Sequence, residues 1–194
     1  MPTEERISRV TGVLSHRQPD LRVVLERITN AHNANAVLRS CDAAGVLHID
    51  IIGPEAEPFL INKAITTRAD KWIDLHYHDS TSACLAGLRE RGFQVAVTCL
   101  AEGAIDYSEL DYAKPTALVF GNESDGVSPE ALALADVRIR IPMFGMAQSL
   151  NLSVSAGVIL YEAVRQRRAR GMYDGRRLSP AEFDDYFKKW LGSV

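Results

Sequence analysis

Six short apolar runs rich in β-branched residues, at 22–28, 46–52, 72–77, 93–99, 116–120 and 137–141, alternate with segments of helical periodicity. The helical segments fall at 33–44, 57–65, 80–91 and 128–135. The third starts from Asp79-Ser80 and the fourth follows Ser128-Pro129, both strong N-terminal signals because a side-chain oxygen or a proline settles the helix's unpaired N–H groups. Strands separated by helices cannot be joined as hairpins; they require crossover connections. The expected fold is therefore α/β, a mostly parallel sheet with helices on both faces. In such sheets ligands bind beyond the carboxyl ends of the strands, so the loops after the strands are where chemistry is sought. Ahead of this pattern, Ile7, Val10, Val13 and Leu14 recur at helical spacing, predicting a short helix over 4–15 that ends before a break at Gln18-Pro19-Asp20.

The 194 residues fit one domain, 1–194, with helical extensions at about 4–15 and 150–191. A chain of this length buries roughly 70% of its unfolded surface, enough for a full core. Cys41, Cys84 and Cys99 are odd in number and never form a CxxC pair, which argues against a disulfide framework or a zinc site and suits a reducing cytoplasm. His76-Tyr77-His78 carries two potential ligands on one strand but no third nearby in sequence, so no metal is expected there. The start of the chain lacks the apolar core of a signal peptide, and no run approaches the ~20 apolar residues of a membrane span. The expected setting is cytoplasmic, away from membranes.

A net charge of -3 is unusual for a nucleic-acid binder, but the charges are unevenly spread. Residues 1–27 carry 5 Lys/Arg against 4 Asp/Glu, residues 28–160 carry 9 against 16, and residues 161–194 carry 8 against 5. The basic excess of the last part lies mostly in Arg165, Arg167, Arg168, Arg170, Arg176 and Arg177. Arginine's planar fork suits phosphate. A solvated helix end favoured by the helix dipole would explain the same cluster.

Three segments stand out. Gly121-Asn122-Glu123-Ser124-Asp125-Gly126-Val127-Ser128 follows a strand and precedes a helix with near-P-loop spacing, but Val127 occupies the place of the phosphate-binding lysine, and Glu123 and Asp125 would repel a triphosphate. A nucleotide triphosphatase is thereby disfavoured. The acids suit a ligand with hydroxyls or a positive charge, such as S-adenosylmethionine; they would equally suit a turn capping the next helix. The second segment, Phe144 to Asn151, is too apolar for an exposed connection, and the helix that follows from Leu152 has no charge before Glu162. Such a helix must be covered on more than one side, either by its own sheet and a second copy of the chain in a symmetric dimer, or wholly inside one chain. The third, Asn30 to Gly45, offers His32, Asn33 and Asn35 as helix caps and places Arg39 on an otherwise small and apolar helix, where its guanidinium requires a specific partner.

These segments resemble the SpoU type of the SPOUT superfamily of RNA methyltransferases. The resemblance rests on HNANAVLRSCDAAG at 32–45, LVFGNESDGVS at 118–128 and IPMFGMAQSLNLSVSAGVILYEA at 141–163, in the family's order. His16 to Leu21, Asp111 to Thr116 and Ala131 to Asp136 are similar to the branch acting on guanosine 18 of tRNA. The resemblance implies a deep trefoil knot in the C-terminal half, S-adenosylmethionine as cofactor and RNA as substrate; the expectation of a homodimer comes from the charge-free helix after Leu152. It implies cofactor contacts from Thr98, Gly121, Ile141 and Leu150, and a catalytic set of Arg39, Asn33, Glu123, Ser149 and Asn151.

The implied reaction is attack of a ribose 2'-hydroxyl on the cofactor's methyl group. A guanidinium, with a pKa above ~12, is a poor general base, so Arg39 is expected to hold the neighbouring phosphate and polarise the hydroxyl. RNA grip is expected from Arg6, Arg9, His32, Arg68, Arg165, Arg167, Arg168 and Arg176, with tRNA the leading substrate and ribosomal RNA the alternative. A silent RNA-binding module would share the fold, but intact Arg39, Glu123, Ser149 and Asn151 disfavour it. The loop Ile65 to Trp72 departs from the small-residue loop of tRNA-modifying relatives, which bears on the nucleotide chosen.

Overall fold

The structure is a computed structural model that describes residues 2–53 and 69–192. The helix expected at 57–65, the residue Arg68 and most of the 65–72 loop lie outside them. In chain order the described elements are α1 (Glu4–Ser15), β1 (Gln18–Glu26), α2 (Ala31–Ala43), β2 (Val46–Ile52), a 3-10 turn (Ala69–Trp72) and β3 (Asp74–His78). There follow α3 (Thr81–Glu90), β4 (Gln94–Thr98), β5 (Ile105–Asp106), a second 3-10 turn (Tyr107–Glu109) and β6 (Thr116–Phe120). The chain ends with α4 (Pro129–Leu134), β7 (Val137–Arg140), α5 (Leu152–Ala169) and α6 (Pro180–Gly192).

The strands form a seven-stranded sheet in the order β3-β2-β1-β6-β4-β7-β5, every neighbouring pair parallel. Alternation along each strand sends side chains to opposite faces. Val23, Leu25, Ala96, Leu118 and Ile139 pack with Val37, Leu38 and Cys41 of α2 and Ala156, Ile159 and Leu160 of α5. Val24, Val95, Val97, Ala117 and Val119 face Cys84, Leu85 and Leu88 of α3 and Ala131 of α4. Each face thus buries one set of β-branched and aliphatic residues. The terminal helices α1 and α6 pack together around Val10, Leu14, Phe183 and Trp190, a smaller core beside the sheet.

Several local expectations change. The chain turns at His16 and Arg17, so β1 begins at Gln18 and includes Pro19. Its pairing with β2 is irregular between Gln18 and Arg22, as a residue without an N–H donor requires. The α2 cap is Asn30, whose side chain accepts from the His32 and Asn33 N–H groups, not His32, Asn33 or Asn35. Asn35 instead donates to the Ala31 carbonyl at 2.6 Å. The two-residue strand β5 was invisible to periodicity because two residues carry no pattern.

Candidate active site at the carboxyl ends of the strands

The carboxyl ends of β4, β6 and β7 converge, with the first turn of α2 and the start of α5, on one cavity of about 660 Å³, a size that accommodates a nucleoside-like ligand. Of the residues expected to hold cofactor, Thr98, Gly121, Ile141 and Leu150 all line it, and so do Asn33, Glu123, Ser149 and Asn151 from the expected catalytic set. Apolar Leu100, Ile141 and Leu150 supply surfaces for a base. Strand-end backbone groups supply donors and acceptors, and the acids of the 121–128 loop suit ribose hydroxyls and a sulfonium. That donor set fits S-adenosylmethionine.

Two long loops form much of the wall. In the first, the Asn122 carbonyl accepts from the Gly126 N–H at 2.8 Å, and the Asn122 side chain accepts from the Ser124 N–H at 2.8 Å and the Asp125 N–H at 3.3 Å. Gly126 sits at φ 69°, a left-handed conformation that glycine adopts without strain. A Cβ on Gly121 would lie 2.2 Å from the backbone of Gly126 and Val127, so the loop can close on itself only with glycine there. In the second, residues 142–150 make no hydrogen bond with other described residues. Phe144 and Met146 are fully exposed, at 98% and 101%.

A polar chain links the loops across the cavity. The Asn151 amide donates to the Asn33 side-chain oxygen at 2.9 Å, and the Asn33 amide donates to a Glu123 carboxylate oxygen at 3.0 Å. Asn33 is buried, Glu123 is exposed, and the Asn151 oxygen caps α5 by accepting from the Ser153 N–H and hydroxyl. Both amides therefore have their oxygen and nitrogen assigned by the network. Asn33 joins its own segment to two others that are 90 and 118 residues away in sequence.

Arg39 stands apart. It is exposed, lines no part of the cavity and makes no hydrogen bond or ion pair with other described residues. Six residues separate it from Asn33, which on a helix is a rotation of about 120° and a rise of about 9 Å, so the two side chains leave different faces of α2. The meeting of Arg39 with Glu123 and the 149–151 turn is thus not made within one chain.

The expected RNA-facing residues divide into two groups. Arg9, His32, Arg168 and Arg176 are exposed, Arg176 stacking over the Phe183 ring. Arg6 is half-buried and donates to the Trp190 carbonyl at 3.0 Å. Arg165 is exposed but held by Glu162. Arg167 must be removed from the set: it is fully buried, its guanidinium donating to Asp20, Gln18 and the Tyr112 carbonyl. Burial works to raise the Asp20 pKa, but Arg167 and Arg177 outweigh it and hold the carboxyl below its ordinary value. Arg170 is similarly paired with Asp111. Much of the arginine cluster is therefore structural, which its sequence spacing could not reveal.

The strand histidines also have partners that the sequence does not place nearby. His78 Nε2 lies 2.8 Å from Asp50, and the Cys84 sulfur, His78 and Asp50 ligand atoms lie within 4.8 Å of one another. Arg22 engages both Asp50 oxygens, at 2.8 and 3.1 Å, so a cation already neutralises that carboxylate. Burial and the nearby Asp50 carboxylate push the Cys84 thiol up to about 12. His48 lies 3.2 Å from His76, and burial, with the Arg22 and His76 charges, drops the His48 pKa to about 4.

Comparison with known proteins places this geometry. The SpoU rRNA Methylase family model matches residues 20–161. The chain belongs to that family. It is 48% identical to the tRNA (guanosine(18)-2'-O)-methyltransferase of Thermus thermophilus, over 97% of this chain and 97% of that protein. The crystal structure of the Aquifex aeolicus TrmH/SpoU tRNA modifying enzyme superposes with a TM-score of 0.93 at 45% identity, covering 97% of this chain and 96% of that one. An AdoMet-bound rRNA methyltransferase from Sinorhizobium meliloti superposes at 0.69 with 32% identity, covering 82% of this chain and 60% of that one. The cavity at the strand ends is also lined by Asn122 and Leu100. Sequence reading had not singled them out, although Asn122 lies inside a quoted motif.

Proposed function

We propose that this SpoU family member transfers a methyl group from S-adenosylmethionine to the 2'-hydroxyl of guanosine 18 in the tRNA D-loop. The observation that carries the reading is the Asn151–Asn33–Glu123 chain across a cavity lined by the family's motif residues, in a chain nearly half identical to a guanosine-18 enzyme along its whole length. The bound cofactor supplies an electrophilic methyl on a sulfonium. Thr98, Gly121, Ile141 and Leu150 hold it, largely through backbone groups and apolar contact. Asn33 fixes Glu123 and Asn151 relative to each other, and Ser149 and Asn151 shape the side of the cavity that the ribose approaches. Arg39 holds the neighbouring phosphate and polarises the hydroxyl, whose proton passes to water, because a guanidinium remains protonated. Alignment of the hydroxyl with the methyl supplies most of the acceleration.

The chain acts as a symmetric homodimer in this reading. Phe144, Met146, Leu150, Val154 and Tyr161 leave large apolar side chains exposed on the second loop and α5, the kind of surface that a partner covers. A second copy covers it and brings Arg39 to the partner's cavity. The chain forms one domain whose second loop belongs to a C-terminal trefoil knot, supported by the likeness to the Aquifex enzyme. RNA phosphates are met by Arg6, Arg9, His32, Arg68, Arg165, Arg168 and Arg176. Among the described residues no helix is long and apolar enough to cross a membrane, and Cys41, Cys84 and Cys99 are free thiols, which fits a cytoplasmic enzyme.

Labelled S-adenosylmethionine with separate tRNA and ribosomal transcripts, followed by nuclease mapping, tests this. Label in the 2'-O-methyl of guanosine 18 is expected; label in a base, or only in ribosomal RNA, overturns it. Arg39→Ala is expected to lower transfer by about 10³-fold with cofactor affinity unchanged. Loss of cofactor binding instead would make Arg39 a structural residue.

A further inference from the structure

Glu26 ends β1 beside Gly121, with 0% of its surface exposed, and none of the motif residues explains it. Its Oε1 accepts from the Thr81 hydroxyl at 2.6 Å and the Ser128 hydroxyl at 2.5 Å; its Oε2 accepts from the Ser128 N–H at 2.8 Å. Ser128 closes the first loop and caps α4, its oxygen accepting from the Ala131 N–H at 3.0 Å. The next residue, Arg27, has a backbone φ of 52°, a left-handed conformation that costs a residue with a Cβ free energy. That conformation accompanies an Arg27 carbonyl that accepts from the Asn122 amide at 2.8 Å, while the Arg27 N–H donates to the Ile52 carbonyl at 2.7 Å. Two consecutive residues therefore hold both ends of the 121–128 loop, Arg27 near its start and Glu26 at its close.

We propose that Glu26 is a positioning residue that sets the place of the 121–128 loop, and through it the cofactor affinity, without touching cofactor or RNA. The proposal rests on the reading that this loop lines the cofactor cavity. Removing the carboxylate strands the Ser128 N–H and hydroxyl in a dry site, where an unmet donor costs more than an ordinary hydrogen bond returns. Those donors are satisfied again only if water enters or the end of the loop moves outward. Gly121 packs directly against Gly126 and Val127, so movement at residue 128 is transmitted to the cavity wall. Thr81 shares the same carboxylate but belongs to α3, which supplies no residue to the cavity wall.

That asymmetry makes the test. Calorimetric titration with S-adenosylhomocysteine is expected to give Glu26→Ala a Kd raised by at least about tenfold, while Thr81→Val stays within about twofold. Glu26→Ala, which strands three donors, is expected to lose more thermal stability than Thr81→Val, which removes one, and the Km for tRNA should move far less than the Km for cofactor in Glu26→Ala. Equal Kd changes in the two variants, or no change in either, overturn the proposal. Should Glu26→Ala fail to fold, Glu26→Gln keeps the shape and one carbonyl oxygen; a rise of about threefold or more supports the proposal and an unchanged Kd overturns it. Backbone amide shifts of the unsubstituted protein on adding S-adenosylhomocysteine separate the two possible failures. Shifts at 121–128 with an unchanged Kd in the Glu26 variants sink Glu26 alone, whereas no shift there sinks the underlying placement of the cofactor.

Discussion

Residues 121–128 and residues 142–150 wall the same cavity, yet the first loop is closed by its own hydrogen bonds and anchored at both ends by the last residue of β1 and the one after it, while the second makes none with other described residues. The first is polar and self-contained. The second exposes Phe144 and Met146 almost completely, and Val154 and Tyr161 of the helix that follows are exposed as well. A loop whose backbone is satisfied internally holds its shape alone; one that offers apolar side chains to water gains its stabilisation from whatever covers it. On the homodimer proposed above, the first loop belongs to the chain itself and the second to assembly, and each half of that reading can be attacked.

The largest effect is expected from Gly121→Ala. With a Cβ 2.2 Å from backbone atoms, the first loop cannot close, and methyl transfer should fall below detection, more than about 10³-fold, with cofactor binding lost by calorimetry. An active variant would show that the loop's closure is dispensable. Next, Phe144→Glu with Met146→Glu should convert the proposed dimer to monomer in analytical ultracentrifugation, where the unsubstituted protein is expected to sediment as a dimer, and lower transfer by about 10²-fold, with helical circular dichroism preserved. A dimer that persists would break the assignment of the second loop to assembly.

Asn33→Ala sharpens the comparison by cutting the only side-chain link between the loops that the described residues show. It leaves the Asn151 amide and the Glu123 carboxylate without their partner, and transfer should fall by about tenfold. The smallest effect should come from His48, which is remote from both loops. Its folded pKa of about 4 lies below the ordinary 6.5, so the unfolded chain takes up the proton first. The corresponding stability is fully present above about pH 6.5 and is lost as pH falls toward about 4, with about 1 kcal/mol gone by pH 5 after discounting for partial solvent access. His48→Gln should flatten the dependence of thermal midpoint on pH across that window.

Legibility in sequence followed the range of the interaction. The parallel sheet and most element positions could be read because periodicity is local and repeated at every strand. Gly121, Glu123, Ser149 and Asn151 could be read because they fall within long ordered motifs. The cap of α2 was misread: Asn30, His32, Asn33 and Asn35 are all competent caps, and only packing decides which amide turns inward. Arg167 and Arg168 are adjacent, yet one is buried against Asp20 and the other exposed, a difference set by a contact 147 residues away. Glu26 carried no local signal, since its partners lie 55 and 102 residues downstream.

The opening alternation of β-branched runs and helical segments by itself determined an α/β parallel sheet, because crossover helices are the connection that such a pattern permits. The motifs determined the family. What the tertiary structure decided is which of those residues share a cavity. Strand order sets β1 beside β6, so the end of one strand holds the loop of another, and Asn33 meets Glu123 and Asn151 across it. The same geometry sends Arg39 out on another face of α2, because helix rotation over six residues separates it from Asn33 however close the two stand in sequence.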